Sequence, residues 1–422
     1  MTLTEVTIPY GNRTRVLHIP AQNLLAVLSP RMVAPCQDAL GEIRRALIEP
    51  LGTPRLYDAA RGAQRVVILA DDLTRLTPVE MMVPALLDEL NAGGVSDAQV
   101  TVVIALGTHR PMTNVEIEAH FGRKVTRRVT VINNPWQNPA EMVDLGVTAN
   151  GTPVSVSRVA LDADFLIGVG SVVPHHIPGY SGGAKIVQPG ITGAATTGAT
   201  HYLSTRSRRS YLGMVENVVR AEMETIAARV GLKAIFNVVL NPAGETVQAF
   251  YGDPVLAHRA AAQVSRQVYG IELPGLADIV IAGSHPCDIE FWQAHKSLYS
   301  ADLAVRAGGT IIVVAPCPEG VAIMHPDMLA FTALTAAEIE AQIDAGTIRD
   351  VVAGALALAW ARVREHARIS LVSDGITPEE TRALGFMPYA TIDAALLAAL
   401  EQHGPNAQVT VLTHAPDSLP IC

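Results

Sequence analysis

Residues 66–78 read Val66-Val67-Ile68-Leu69-Ala70-Asp71-Asp72-Leu73-Thr74-Arg75-Leu76-Thr77-Pro78, an apolar run that breaks abruptly into a polar turn. A short, unbroken, β-branched run is what a strand buried on both faces of a parallel sheet requires. Pro78 then opens a segment with an apolar stripe to Leu90 that stops at Gly93-Gly94, so a helix follows the strand. The same unit recurs outward. Further strands are expected at Val100–Ala105, Val129–Ile132, Phe165–Val169 and Ala234–Leu240, and helices at Glu216–Val230 and Pro254–Tyr269. The series restarts with a strand at Asp278–Gly283, a helix at Gln293–Ala307 ended by Gly308-Gly309, and a strand at Thr310–Ala315. A helix at Arg349–His366 and strands at Ile369–Ser373 and Gln408–Leu412 complete it. Repeated alternation of this kind implies α/β architecture with right-handed crossovers, here two doubly wound, Rossmann-like domains. Gly270, Pro274 and Gly275 punctuate between the two series. They divide the chain into an N-terminal α/β domain over 1–270, a C-terminal α/β domain over 276–395 and a C-terminal segment over 396–422.

The chain has 422 residues, 49% hydrophobic and 17% charged, enough apolar material for large cores built mainly from Ala, Val, Leu and Ile. Its formal charge of −9 argues against nucleic acid as a partner. The four cysteines, Cys36, Cys287, Cys317 and Cys422, form no CxxC pair, so neither a disulfide framework nor a thiolate zinc site is indicated. The first twenty residues carry Pro and charge where a signal peptide needs a continuous apolar stretch. The longest apolar run, Val351 to Ala361, falls short of the ~20 residues a membrane helix needs. The expectation is a cytoplasmic protein that neither crosses a membrane nor binds one.

In open α/β sheets, ligands bind beyond the carboxyl ends of the strands. The unusual polar residues fall there. Asp71 to Pro78 follows Ala70; Gly107-Thr108-His109-Arg110-Pro111 follows Ala105; Gly170 to His176 follows Val169; and Ser284-His285-Pro286-Cys287-Asp288 follows Gly283. Capping rules alone give Asp72 and Thr74 another use, at the start of the helix beginning near Pro78. The stretch from His175 to Lys185, HHIPGYSGGAK, holds three glycines before its lysine, which suits a loop whose backbone must approach a ligand closely. It is not a P-loop, because Ala184 precedes the lysine and Ile186 stands where Ser or Thr would hold magnesium. Lys185 is then a covalent attachment point, a phosphate contact or a plain electrostatic residue. His109, His175, His176 and His201 could converge on one cleft as acid/base groups or metal ligands, though none has HExxH spacing. Gln293 and Lys296 are three apart and share a helix face, and Trp360 lies within an apolar helix where a core role is the default.

Together these segments resemble the nickel-pincer lactate racemase family of 2-hydroxy acid racemases and epimerases. The resemblance rests on Asp72-Leu73-Thr74-Arg75 with Thr77-Pro78, Gly107-Thr108-His109-Arg110, the stretch from His175 to Lys185, His201, and Gln293-Ala294-His295-Lys296. The spacings of ten residues from His175 to Lys185 and sixteen from there to His201 fit as well. The resemblance implies an isomerase with its site in the interdomain cleft. It implies a nickel-pincer nucleotide, pyridinium-3,5-bisthiocarboxylic acid mononucleotide, bound covalently through Lys185, with His201 as the protein's nickel ligand and separate enzymes to mature the cofactor. Asp72, Leu73, Thr74 and Arg75 would lie along the nucleotide, with Gln293 and Lys296 contributing from the second domain. His109 and His175 would be the paired acid/base residues, and Arg75, Lys296 and Trp360 would contact the small-molecule 2-hydroxy acid.

The chemistry explains why such residues are needed. Removing a proton beside a carboxylate builds a second negative charge, whereas removing a hydride to an electron-poor ring does not, and the intermediate is then a 2-oxo acid. The two enantiomers place their hydroxyls on opposite sides, so two bases are needed, and imidazole works in either direction near neutrality. Two other readings of the same residues are a metal-dependent hydrolase or lyase without the nucleotide, and a non-catalytic cofactor-binding homologue. His176, Ile177, Cys287, Phe291 and Trp292 flank the matched positions, and Trp292 hints at a modest apolar substrate tail.

Overall fold

The computed structural model describes residues 2–421. Two six-stranded sheets organise them. The first runs in the order Thr246–Gly252, Leu232–Leu240, Phe165–Ser171, Val66–Ala70, Val100–Ile104, Thr130–Asn133, parallel except for its antiparallel edge at 246–252. Val66–Ala70 is central and buried at every position, which accounts for its unbroken apolar run. Its even residues, Val66, Ile68 and Ala70, pack with the helices Val79–Ala92 and Asn114–Thr126, while Val67 and Leu69 face the helices Val218–Val230 and Leu256–Tyr269.

The second sheet runs Met387–Tyr389, Arg368–Val372, Val305–Val314, Ala277–Gly283, Val409–Leu412, Leu24–Leu28, all parallel. Val280, Ala282, Ile311 and Val313 join the same apolar cluster as Val67 and Leu69 of the first sheet, so one core is continuous between the two halves. The chain is thus an α/β fold of parallel sheets and helices. No helix among the described residues is long and apolar enough to cross a membrane.

Three boundaries differ from the sequence reading. Residues 3–28, assigned to the N-terminal unit over 1–270, sit with the second sheet instead. The hairpin Leu3–Tyr10/Arg13–Pro20 lays Val6, Ile8, Leu17 and Ile19 over Ile279, Ile281 and Ile312, and Leu24–Leu28 pairs with Val409–Leu412. The C-terminal segment over 396–422 is integral: it supplies that pairing strand, and Leu419–Ile421 pairs with Gly270–Glu272 where the chain passes between the halves. The helix expected over Gln293–Ala307 is two helices, Phe291–Ala294 and Lys296–Ala304, and the strand already begins at Val305. Gly308-Gly309 is therefore not a helix stop. Gly308 has φ +77°, a left-handed conformation that lets the strand bulge within the ladder.

Ile8 is fully buried beside Gly283, where any added Cβ would meet its Cγ2 at 2.6 Å. Truncation to Ile8→Ala should lower unfolding free energy by about 2–4 kcal/mol. Chemical denaturation followed by circular dichroism reads the loss directly. A change under about 0.5 kcal/mol, the level of a surface substitution, would mean the hairpin does not seal this core.

Candidate active site

The first sheet delivers its polar residues at the carboxyl ends of adjacent strands. Asp71 and Asp72 follow the central strand. Asp72 does not cap the next helix, whose first flanking residue, Pro78, makes no side-chain cap. Its Oδ1 accepts from the Thr74 amide at 3.0 Å and the Thr74 hydroxyl at 2.5 Å, and its Oδ2 meets His109 Nδ1 at 2.6 Å. Burial raises its carboxyl's pKa, but the charge and hydrogen bond of His109, with Arg75 adding, more than offset this and hold it well below the ordinary range. Arg75 donates through Nη1 to the Thr74 hydroxyl at 2.7 Å. Asp71, not singled out by the sequence, accepts from the Thr77 hydroxyl at 2.6 Å and the Ser171 amide at 3.2 Å, tying two strand ends together.

The tautomer of His109 follows from its partners. Lys296 Nζ donates to Gln293 Oε1 at 2.6 Å, so the amide's nitrogen faces His109 Nε2, 3.1 Å away. Nε2 must then accept, leaving the ring proton on Nδ1 for Asp72. A single polar chain, Thr74–Asp72–His109–Gln293–Lys296, so joins strand ends of both sheets. Gln293 and Lys296 come from consecutive short helices broken at His295 and are bonded to each other directly. Lys296 Nζ also lies 3.8 Å from Cys287 Sγ.

The loop after Phe165–Ser171 is held by its glycines. Gly182 and Gly183 have φ of +69° and +59°, and a Cβ on Gly182 would press on Val172 and Asn237 at 2.7 and 2.8 Å. Arg220, buried on the helix above, donates to the carbonyls of Pro178, Tyr180 and Gly182, and His258 Nε2 lies 3.0 Å from the Ser181 carbonyl. Lys185 leaves this clamp on the short turn Gly183–Ile186. Burial, then repulsion by Arg75 and Lys296, brings its ammonium down to about 7, with Asp71 opposing. His201, on Ala194–Ser204, places Nδ1 2.8 Å from the Thr197 carbonyl. The Nδ1 proton is committed there, leaving a bare Nε2, and burial and Lys185 hold the ring neutral, down to about 4.

His175 accepts the Ile177 amide at Nδ1, 3.2 Å, so its neutral ring carries the proton on Nε2. Burial, then Lys185 and His176, push its pKa well below the ordinary value. The ring stacks on His176 with centroids 4.6 Å apart, and His176 stacks on Tyr299 at 4.1 Å.

One cavity of about 940 Å³ is lined by Asp72, Arg75, His109, His175, Lys185, His201, Gln293 and Lys296, together with His176 and Trp292. Leu73 and Thr74 line an adjoining chamber of about 520 Å³ that shares Asp72 and His109. Trp360 is the exception. It is wholly buried behind the cavity against Phe291 and His295, each ring 5.3 Å away, and its helix reaches the cavity through Leu356 instead. Trp360, expected as a substrate contact, is therefore not among the residues that line the cavity. The apolar pattern of 351–363 buries the indole as a core residue. Although five histidines line the cavity, among the described residues no three His, Cys, Asp or Glu side chains form a metal cage. A metal here would need donors from a bound molecule.

Comparison with known proteins gives a consistent picture. The lactate racemase N-terminal domain family matches residues 10–213, and the lactate racemase C-terminal domain family matches residues 274–419. The lactate racemase of Lactiplantibacillus plantarum is 27% identical over 431 residues, covering 99% of this chain and 99% of that protein. The lactate racemase of Thermoanaerobacterium thermosaccharolyticum is 30% identical over 324 residues, covering 75% of this chain and 76% of that protein. The structure of the lactate racemase apoprotein from T. thermosaccharolyticum superposes with a TM-score of 0.89 at 25% identity, over 99% of this chain and 100% of that one. A Thermotoga maritima protein shares the fold at 19% identity, with a TM-score of 0.72.

The chain holds four lysines, Lys124, Lys185, Lys233 and Lys296, of which Lys124 and Lys233 are exposed. In cofactor-free protein, a small amine-reactive acylating reagent should modify Lys185 with a pH midpoint of about 7, read by peptide mass spectrometry. Between that value and the ordinary lysine pKa of about 10.4, the unfolded chain binds the Lys185 proton and the folded chain does not, so stability should rise with pH relative to Lys185→Met. A Lys185 midpoint near about 10.4 would show that the cavity does not perturb it.

Proposed function

The chain belongs to the lactate racemase family and is a racemase, an isomerase, and on that premise we propose that it inverts C2 of a 2-hydroxy acid using a nickel-pincer nucleotide tethered to Lys185. In this reading the two sheets are two doubly wound, Rossmann-like domains, the reaction takes place in the cleft between them, and separate enzymes of the cytoplasm mature the nucleotide. One observation carries it: a single cavity gathers an amine half-deprotonated near neutrality, a neutral imidazole with a free Nε2, and two further imidazoles flanked by cations.

Those residues fit the nucleotide. Lys185 has the unprotonated fraction that acylation requires, and His201 offers the neutral nitrogen that suits nickel. When bound, that group supplies an electron-poor ring able to take and return the C2 hydride. Asp72 to Arg75 would lie along the nucleotide.

The chain's own residues supply orientation and protons. Arg75 and Lys296 bind the substrate carboxylate, the guanidinium through its fork and the ammonium as a point charge. His109 Nε2 takes the hydroxyl proton once the substrate displaces Gln293, and Asp72 stabilises the imidazolium that results. His175 faces the hydroxyl of the opposite enantiomer. Its low basicity in the free protein comes from burial and from Lys185, His176, Lys296 and Arg75. Converting Lys185 to a neutral amide-like link removes the largest of those charges, and a bound carboxylate offsets Lys296 and Arg75. His175 becomes able to hold a proton only when cofactor and substrate are both in place.

Lys185→Ala should abolish racemisation, and His109→Ala or His175→Ala should lower kcat/KM by about 10²–10⁴, measured by polarimetry on enzyme matured with its cofactor. A C2-deuterated acid inverted in ordinary water should keep its deuterium. Exchange of that label for solvent hydrogen in step with inversion would overturn hydride transfer in favour of proton abstraction at C2.

A further inference from the structure

A second chamber opens off the main cavity and shares with it Arg75, Ser171, His175 and Lys296. Beyond those four its wall is mostly apolar, with Val173, Pro242, Tyr269 and Pro416 among the lining. Tyr269 gives its hydroxyl to the Leu240 carbonyl at 2.7 Å, and Asn241 donates to Val33 and Glu245, so neither is free to bind a ligand. One charged group is free. Asp417, half-buried on the turn Ala415–Asp417, accepts no hydrogen bond among the described residues. Burial lifts its carboxyl up to about 6, with Lys296, His285 and Arg75 drawing the other way, so it is ionised at neutral pH.

A carboxylate gripped between Arg75 and Lys296 puts C2, one bond away, at the mouth of this chamber. We propose that the chamber receives the substrate's side chain and that Asp417 screens it. The preferred substrates are then 2-hydroxy monocarboxylic acids whose side chain is uncharged and longer than methyl, and acids with a second carboxylate are refused. An apolar wall of this kind gains more from covering an uncharged aliphatic or aromatic group than from covering a methyl alone. A second carboxylate would face Asp417 across an apolar space, where like charges repel strongly and no unpaired cation lies beyond the carboxylate clamp. The chamber on the other side gives no escape. It presents Glu290 and Glu319, and its cation Arg110 is held by Glu116 at 2.8 Å.

This inference rests on the racemase reading above, and its test separates the two. Enzyme matured with its cofactor is assayed on single enantiomers of 2-hydroxypropanoate, 2-hydroxy-4-methylpentanoate and 2-hydroxybutanedioate. The methylpentanoate should at least equal the propanoate in kcat/KM, and the butanedioate should fall about 100-fold below it. Asp417→Asn should raise the butanedioate-to-methylpentanoate ratio by about tenfold or more. Calorimetric titration of cofactor-free protein with the same acids should give the same order of Kd and the same shift in Asp417→Asn. A butanedioate within tenfold of the methylpentanoate, a ratio unmoved by Asp417→Asn, or a tenfold preference for the propanoate would overturn the substrate class and leave the racemase reading intact. Failure to invert any of the three acids would overturn both.

Discussion

Everything in the cavity depends on how charge is arranged where water is scarce. Arg75, Lys185 and Lys296 face one space, with Asp71 and Asp72 in its lining and Asp417 beside Arg75 and Lys296 in the next chamber. Asp72 is drawn toward His109, and Asp71 holds the Thr77 hydroxyl and the Ser171 amide, so Asp71 offsets only part of what Arg75 and Lys296 do to Lys185. Burial first, and the excess of positive charge after it, lower Lys185, His175 and His201 together. It is an arrangement that costs stability in the empty protein and is relieved by an anion. A site built this way selects a negatively charged occupant through the repulsion it removes as much as through the bonds it forms.

That arrangement needs a stiff frame. The apolar layer running from Val67 and Leu69 to Val280 and Ile311 fixes the two sheets relative to each other, and the polar chain from Asp72 to Lys296 crosses the gap above it. Gln293 is the joint. Its amide reads Lys296 on one side and His109 on the other, so the protonation state on one half sets the tautomer on the other. Arg220 does the corresponding work for the lysine loop by binding three of its carbonyls at once.

How much of this the sequence discloses depends on how local the cause is. Val66–Ala70 and Phe165–Ser171 are legible because burial on both faces demands an unbroken apolar run, and the site residues are legible because they follow such runs. Leu24–Leu28 is not, since its partner lies nearly four hundred residues away and its own burial is only partial. The hairpin at 3–20 does alternate buried and exposed residues along Thr4 to Tyr10, a signal present in the sequence, but its destination is set by packing on Ile279 and Ile281. Arg220 carries no spacing cue at all, since only the folded loop shows which carbonyls it reaches. Gly308-Gly309 imitates a helix stop because a bulge and a C-cap ask the same backbone freedom of glycine. Trp360 is the opposite case: the fold gives it the core position that the apolar helix suggests by default, one layer behind the cavity lining.

The two imidazoles proposed as acid/base groups are not mirror images. His109 presents a bare Nε2 because Asp72 holds its proton at Nδ1, while His175 presents Nε2–H because the Ile177 amide occupies its Nδ1. For His175 to act as a base its proton must move to Nδ1, at the cost of that amide bond, whereas His109 is poised from the start. Yet for a pair of enantiomers the equilibrium constant is unity, so kcat/KM must be equal in the two directions whatever the site looks like. The asymmetry can appear only as opposing differences in kcat and in KM. An enantiomer that is bound more weakly must be converted proportionally faster, and the backbone amide of Ile177 is one place where that difference is set.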